Sequence, residues 1–148
     1  MRIQISPMSF PIRSPRYQVH GIVVFARIID KIRLHTEGKL PAGYHIGPME
    51  GNRTFDDRVC KFLGVDFDDL SVRALQGGSD EEILDWCFEQ GRKPDAEQIE
   101  VWNGFMMKRG WRDSGSAGLH EQKIEAGFAA SNEIQTYFDL MDAEEGRA

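Results

Sequence analysis

Cysteine is scarce. The chain has two in 148 residues, Cys60 and Cys87, and their positions form no paired spacing. A disulfide framework is therefore not expected, and a reduced, cytoplasmic setting is the simpler one. Long apolar runs are missing too. The longest, Ile22 to Ala26, falls far short of the roughly 20 residues that cross a bilayer, and the N-terminus has no continuous apolar segment of signal-peptide type. No membrane partner is expected. His20, His35, His45 and His120 are scattered, with no second His at i, i+4 and no acidic partner at ligand spacing, so no metal site is assigned. No nucleotide-binding loop or other cofactor motif stands out, and no cofactor is expected. The formal net charge of −6 and the lack of a dense basic stripe with interleaved aromatics argue against nucleic acid. No stretch alternates well enough for a strand, and no fixed-period repeat or low-complexity linker is present.

Helix punctuation is what the chain has in abundance. Five pairs of a capping residue with a carboxylate or carboxamide three positions later are read as helix starts: Thr54 with Asp57, Asp66 with Asp69, Ser79 with Glu82, Asp95 with Gln98 and Asn132 with Gln135. Such pairs satisfy the orphan N–H groups of a first turn and mark where a helix starts. Gly38, Gly64, Gly77 with Gly78, Gly91 and Gly110 supply the stops. Between these marks, Ile22 to Thr36 carries Ile22, Phe25, Ile29 and Ile32 on one stripe. Phe55, Val59, Phe62 and Leu63 make the next apolar face, followed by Leu70 and Ala74, then by Ile83, Leu84, Cys87 and Phe88. Ile99, Trp102, Phe105 and Met106 follow, and Ile134, Tyr137, Phe138 and Met141 close the series. Ser116 to Ala126 reads as a weaker helix, interrupted by Gly118. Pro7, Pro11 and Pro15 make residues 1–17 an extended arm, with Ile3, Ile5, Phe10 and Ile12 available to pin it to the body. The expected fold is all-α: residues 1–148 form a single compact domain of about six or seven short helices packed at varied angles.

Charge is unevenly spread. Residues 1–61 hold ten Lys and Arg against five Asp and Glu, whereas residues 62–148 hold eight against nineteen. Either the two halves pack against each other or the basic half holds an acidic ligand. The first helix concentrates the question, because Arg27, Asp30 and Lys31 share a stripe with Val23 and Leu34, roughly opposite Phe25 and Ile29. Charges in such company point to a helix packed on both sides, with Arg27 and Asp30 as a partly buried i, i+3 pair. One reading is a structural ion pair. The other is an anion site in which Arg27 binds bidentately, Asp30 orients it and Lys31 adds a point charge.

Other side chains extend or compete with that site. Trp102 shares the stripe of Ile99 and Phe105 and is expected in the core. Trp111 follows the Gly110 stop and is expected over a surface or rim, with Arg109 stacked on an aromatic ring. Asn103 sits beside the apolar stripe, where it would place an amide at a pocket wall. Cys60, next to Lys61, is a candidate nucleophile with His45 as its base, although it also borders the Val59 and Phe62 face, where a buried thiol is the ordinary explanation. Cys87 belongs to the core. Glu81, Glu82 and Asp85 suit a helix N-terminus better than an acid pair, and with Asp80 they would repel a phosphate from the Gly77-Gly78 turn.

Several short runs together resemble an uncharacterised bacterial family known only as a domain of unknown function. They are Arg27-Ile28-Ile29-Asp30-Lys31-Ile32-Arg33, Lys39-Leu40-Pro41 with Tyr44, Phe62-Leu63-Gly64-Val65, and Gly77 through Leu84 with Trp86. Trp102-Asn103 with Lys108-Arg109-Gly110-Trp111, and Asp142 through Arg147, complete the set. The resemblance covers most of the chain and departs from the pattern at Ile46 to Arg53. It implies a shared helical fold and a bacterial cytoplasmic origin, and it brings no activity, catalytic residue or cofactor with it.

The leading expectation is a binding or regulatory protein. Arg27, Asp30 and Lys31, with Tyr44, Asn103 and Arg109, would hold a small anionic ligand or a partner protein's carboxylate. The alternative is an enzyme acting on a small metabolite with Cys60 as nucleophile or Asp30 as acid/base. A third is a structural interaction domain, which an exposed apolar patch and a stable oligomer would mark.

Overall fold

The cap and stop residues place the helices much as their chemistry requires. The computed structural model describes residues 10–51 and 53–147. Seven helices follow in order: α1 (Phe25–Thr36), α2 (Phe55–Leu63), α3 (Phe67–Leu75), α4 (Asp80–Gln90), α5 (Ala96–Lys108), α6 (Ser116–Ala126) and α7 (Tyr137–Glu144). Ser79 with Glu82 and Asp95 with Gln98 form complete reciprocal boxes at the starts of α4 and α5. Thr54 accepts from the Asp57 N–H, and Asp66 accepts from Asp68 rather than Asp69.

Two expectations change. The expected start at Asn132 is displaced to Thr136, which builds its own box with Asp139, so α7 begins at Tyr137 and Ile134 is buried ahead of it. The expected strand-free start of α1 is replaced by a two-stranded antiparallel hairpin, β1 (Gln18–Val19) and β2 (Ile22–Val23). Its two-residue turn, His20-Gly21, has positive φ at both positions (48° and 81°), the combination that matches strand twist. Val24, also at positive φ, then swings the chain into α1 three residues later than the apolar run suggests.

The core forms around α1. Phe25, Ile28, Ile29 and Ile32 are buried against α2, α3 and the hairpin, together with Val59, Leu63, Leu70, Ile83, Leu84 and Phe138. Fully burying side chains of this size contributes about 1.5–3 kcal/mol each. Trp102 stacks on Phe62 at 4.5 Å with the rings nearly parallel, joining α5 to α2. A smaller apolar cluster, Leu119, Ile134 and Leu140, seats α6 and α7. Gly118 lies within α6 without breaking it. A Cβ there would come within 2.6 Å of Tyr137 Oη, so the glycine makes room for a ring whose hydroxyl donates to the Gly115 carbonyl at 3.0 Å.

Of the expected arm, residues 1–9, including Pro7, Ile3 and Ile5, lie outside the described residues. Residues 10–17 run over α1, with Ile12 fully buried. They are pinned chiefly by charge. Arg13 donates to both oxygens of Asp30 (3.0 Å each) and to Asp80 (2.5 and 3.1 Å), and Arg16 reaches Asp139 and Asp142. Much of the basic N-terminal half is thus matched by C-terminal carboxylates.

Candidate functional site

Both faces of α1 are buried. Arg27 is 5% exposed and Lys31 8%, and each ends on a carboxylate supplied from elsewhere in the chain. Arg27 does not pair with Asp30 as the i, i+3 spacing suggests. Its Nη1 and Nη2 donate to the two oxygens of Glu145 at 2.9 and 2.5 Å, and Nη1 also reaches the Arg13 carbonyl at 3.1 Å. Tyr44 Oη donates to Glu145 at 2.6 Å and Arg147 adds a third donor at 2.5 Å. Burial alone would raise the Glu145 carboxyl, but the bonds from Arg27 and Tyr44 outweigh it and hold the group below its ordinary value. Tyr44 is pushed up by its own burial and by that carboxylate. Lys31 Nζ donates to Asp56 Oδ1 at 2.9 Å, and Asp56 Oδ2 accepts from the Gly47 N–H at 2.8 Å.

These pairs form one wall of a cavity of about 520 Å³, where α1, the 42–45 loop, the start of α2 and the ends of α5 and α7 converge. Arg53, Arg58 and Arg109 also line it. In all, five Lys and Arg line the space against three carboxylates, Asp56, Glu144 and Glu145. Arg58 stands out. Its Nε is buried with no hydrogen-bond partner among the described residues, and its guanidinium lies 5.1 Å from the Phe105 ring centroid, close to Arg109 at 5.6 Å from the same ring. Burial, then the neighbouring charges of Arg109 and Arg53, lower its affinity for its proton. Arg109 has partial company, with Ser114 Oγ at 3.1 Å and Asp113 at 3.6 Å.

The chain matches, over residues 9–147, the family model described as Domain of unknown function (DUF5069). It belongs to the DUF5069 family. Among curated proteins no relative matches the chain. Two of the segments that carried the family likeness, Arg27 to Arg33 and Asp142 to Arg147, meet in this DUF5069 member through the Arg27–Glu145 pair.

Of the six residues singled out from the sequence, Arg27, Lys31, Tyr44 and Arg109 line the cavity. Asp30 does not. It accepts from the Arg13 backbone N–H and guanidinium, on the side of α1 that the arm covers. Asn103 does not either, because it latches the hairpin: its Nδ2 donates to the Gly21 carbonyl at 2.6 Å and its Oδ1 accepts from the Val23 N–H at 3.3 Å. Cys60 is 4% exposed and stands off the cavity wall, with its thiol pushed up to about 12, first by burial and then by Asp56. A thiol so placed is a poor nucleophile. Cys87 is buried too, and burial pushes its thiol up against the opposing charge of Arg73. Trp111 is 44% exposed with Arg112 over its ring, while Arg109 stacks on the ring of Phe105.

Arg58, Asp56 and Glu145 escaped the sequence reading, although a signal for each existed. Arg58 lies three after Phe55 and four before Phe62, and Asp56 three before Val59, so both sit on the edge of the apolar stripe of α2. Glu145 continues the Phe138 and Met141 stripe by one turn. A charged residue on an apolar stripe is a charge that must find a buried partner or a ligand.

Proposed function

We propose that this DUF5069 member is a small binding protein that holds an anionic ligand in the cavity bounded by α1, α2, α5 and α7. Arg58 is the primary contact, flanked by Arg53 and Arg109. Arg27 and Lys31 belong to the wall rather than to the ligand, since Glu145 and Asp56 already neutralise them. The observation that carries this reading is the unpartnered, buried Arg58 Nε in a cavity with a surplus of positive charge. Leaving a buried donor unsatisfied costs on the order of 1–3 kcal/mol, more for a charged group, and an anion that draws the Arg58 guanidinium toward the cavity offsets that cost. The two buried thiols suit a reduced compartment such as the cytoplasm, and among the described residues no helix is long and apolar enough to cross a membrane.

The test is a thermal-shift titration with orthophosphate and malonate, in a chloride buffer of constant ionic strength, on the wild type and on Arg58→Met. Occupancy at a hundredfold excess over Kd stabilises the folded state by about 2.7 kcal/mol. The expected result is a saturable rise in melting temperature for the wild type that is absent in Arg58→Met. Equal responses of the two proteins would remove Arg58 from the site and the proposal with it.

A further inference from the structure

The cavity is polarised, and the polarity narrows the ligand that the proposed anion site would take. At one end, Arg58 and Arg109 both lie over the Phe105 ring, and the neighbours that most repel the Arg58 charge are Arg109 and then Arg53. Among the described residues neither Arg53 nor Arg58 forms an ion pair, and the carboxylate nearest Arg109 stands at 3.6 Å, beyond hydrogen-bond distance. Asp57 and Asp113 offset the Arg58 charge in part, but neither forms an ion pair with it, so positive charge stays in surplus there. A carboxylate monoanion would compensate a single charge, whereas a phosphomonoester brings about −1.5 to −2 and three acceptor oxygens at neutral pH, suited to several guanidinium forks at once.

The other end repels anions. Glu144 lines the cavity beside Glu145 and makes no hydrogen bond or ion pair among the described residues. Partial desolvation and the Glu145 charge raise its carboxyl above the ordinary value. Glu145 has its oxygens occupied by Arg27, Tyr44 and Arg147, so Glu144 is the acceptor at that end still open to a ligand. The Tyr137 N–H donates to the Arg109 carbonyl, and Met141 and Glu144 follow on successive turns of α7. Tyr137, with Phe55 against it, and Met141 therefore offer an apolar stretch between the arginines and Glu144, against which a carbon skeleton packs. A volume of about 520 Å³ lies within the range of about 300–1,000 Å³ typical of small-molecule sites.

Resting on the anion-site reading, we propose that the cavity takes a phosphomonoester of a small polyol. The phosphate lies against Arg58, Arg53 and Arg109, and a hydroxyl group donates to Glu144.

Isothermal titration at pH 7.5 with three probes separates the elements of this proposal: glycerol 3-phosphate, orthophosphate, and glycerate as the carboxylate polyol of similar size. The proteins are the wild type, Arg58→Met and Glu144→Leu, each checked for a cooperative melt. Wild type is expected to bind glycerol 3-phosphate at least tenfold more tightly than glycerate. Arg58→Met should lose at least tenfold for every probe. Glu144→Leu should lose at least fivefold for glycerol 3-phosphate and none for orthophosphate.

Glycerate binding as tightly as glycerol 3-phosphate, with both lost in Arg58→Met, would overturn the phosphate preference while leaving the anion site standing. Unchanged glycerol 3-phosphate affinity in Glu144→Leu would overturn the hydroxyl contact. No heat with any of the three probes would remove both this inference and the anion site beneath it.

Discussion

Replacing Arg58 with Met should make the ligand-free protein more stable, the reverse of what an arginine with a structural job predicts. The substitution keeps an unbranched side chain of similar reach but removes the buried Nε that has no partner and the charge that faces Arg109 and Arg53. Removing an unsatisfied buried donor recovers about 1–3 kcal/mol. The lost contact with the half-exposed Phe105 ring costs about 0.5–1 kcal/mol. The net is a gain of about 1 kcal/mol, or roughly 2–4 °C in melting temperature for a chain of this size. The assay is differential scanning calorimetry in low-salt chloride buffer without multivalent anions, repeated with added sodium chloride. Salt screens repulsion among the arginines, so it should raise the melting temperature of the wild type more than that of the variant. A variant melting 3 °C or more below the wild type would refute the reasoning, because it would mean that Arg58 holds the fold together and that its unpartnered nitrogen is no sign of a missing ligand.

Arg27→Ala should behave in the opposite way, leaving Glu145 buried without its bidentate partner and costing about 3–5 kcal/mol by urea denaturation; a loss below 1 kcal/mol would show that Tyr44 and Arg147 suffice. The pH dependence follows from Glu145 and Asp139. Net of burial, hydrogen bonds from Arg27 to Glu145, and from the Gln135 backbone and Arg16 to Asp139, hold both below their ordinary values of 4.5 and 3.8. Groups with depressed folded values stabilise above their unfolded values and lose that contribution as pH falls through the folded ones. The urea midpoint should therefore decline as pH drops below about 4.5, and Glu145→Gln, weaker at pH 7, should decline less steeply; parallel slopes would exclude Glu145 as a source. Gly91→Ala tests packing: a Cβ there would lie 1.9 Å from the Leu63 carbonyl oxygen, where the ends of α2 and α4 meet, and backbone cannot yield as a side chain does. A cost of about 3 kcal/mol or more is expected, and a near-neutral melt would mean that this junction yields to an added methyl group.

Local chemistry made the helices readable. Side chains of Ser79, Asp95 and Thr54 satisfy N–H groups only three residues away, so these starts do not depend on the rest of the fold. The exceptions are instructive. Asn132 carries the same signature as Ser79, yet burial of Ile134 ahead of the helix and the competing Thr136 box move the start of α7. The Ile22 to Ala26 run is apolar enough for a helix, but the His20-Gly21 turn pairs its first two residues with Gln18 and Val19. Charged residues on the α1 stripe correctly signalled a helix buried on both faces, while their spacing suggested the wrong partners.

Partner choice belongs to tertiary structure alone. Arg27 finds Glu145 across 118 positions and Lys31 finds Asp56 across 25, whereas Asp30, one turn from Arg27, turns to Arg13. A buried charge selects whichever countercharge packing delivers within hydrogen-bond distance, and packing depends on every helix at once. From the sequence alone came the punctuation of about six or seven helices, the two-sided burial of α1 and four of the cavity's residues. The cavity itself, its surplus of positive charge and the unpartnered Arg58 arise only where α2, α5 and α7 meet, because an unsatisfied group is defined by the neighbours it fails to acquire.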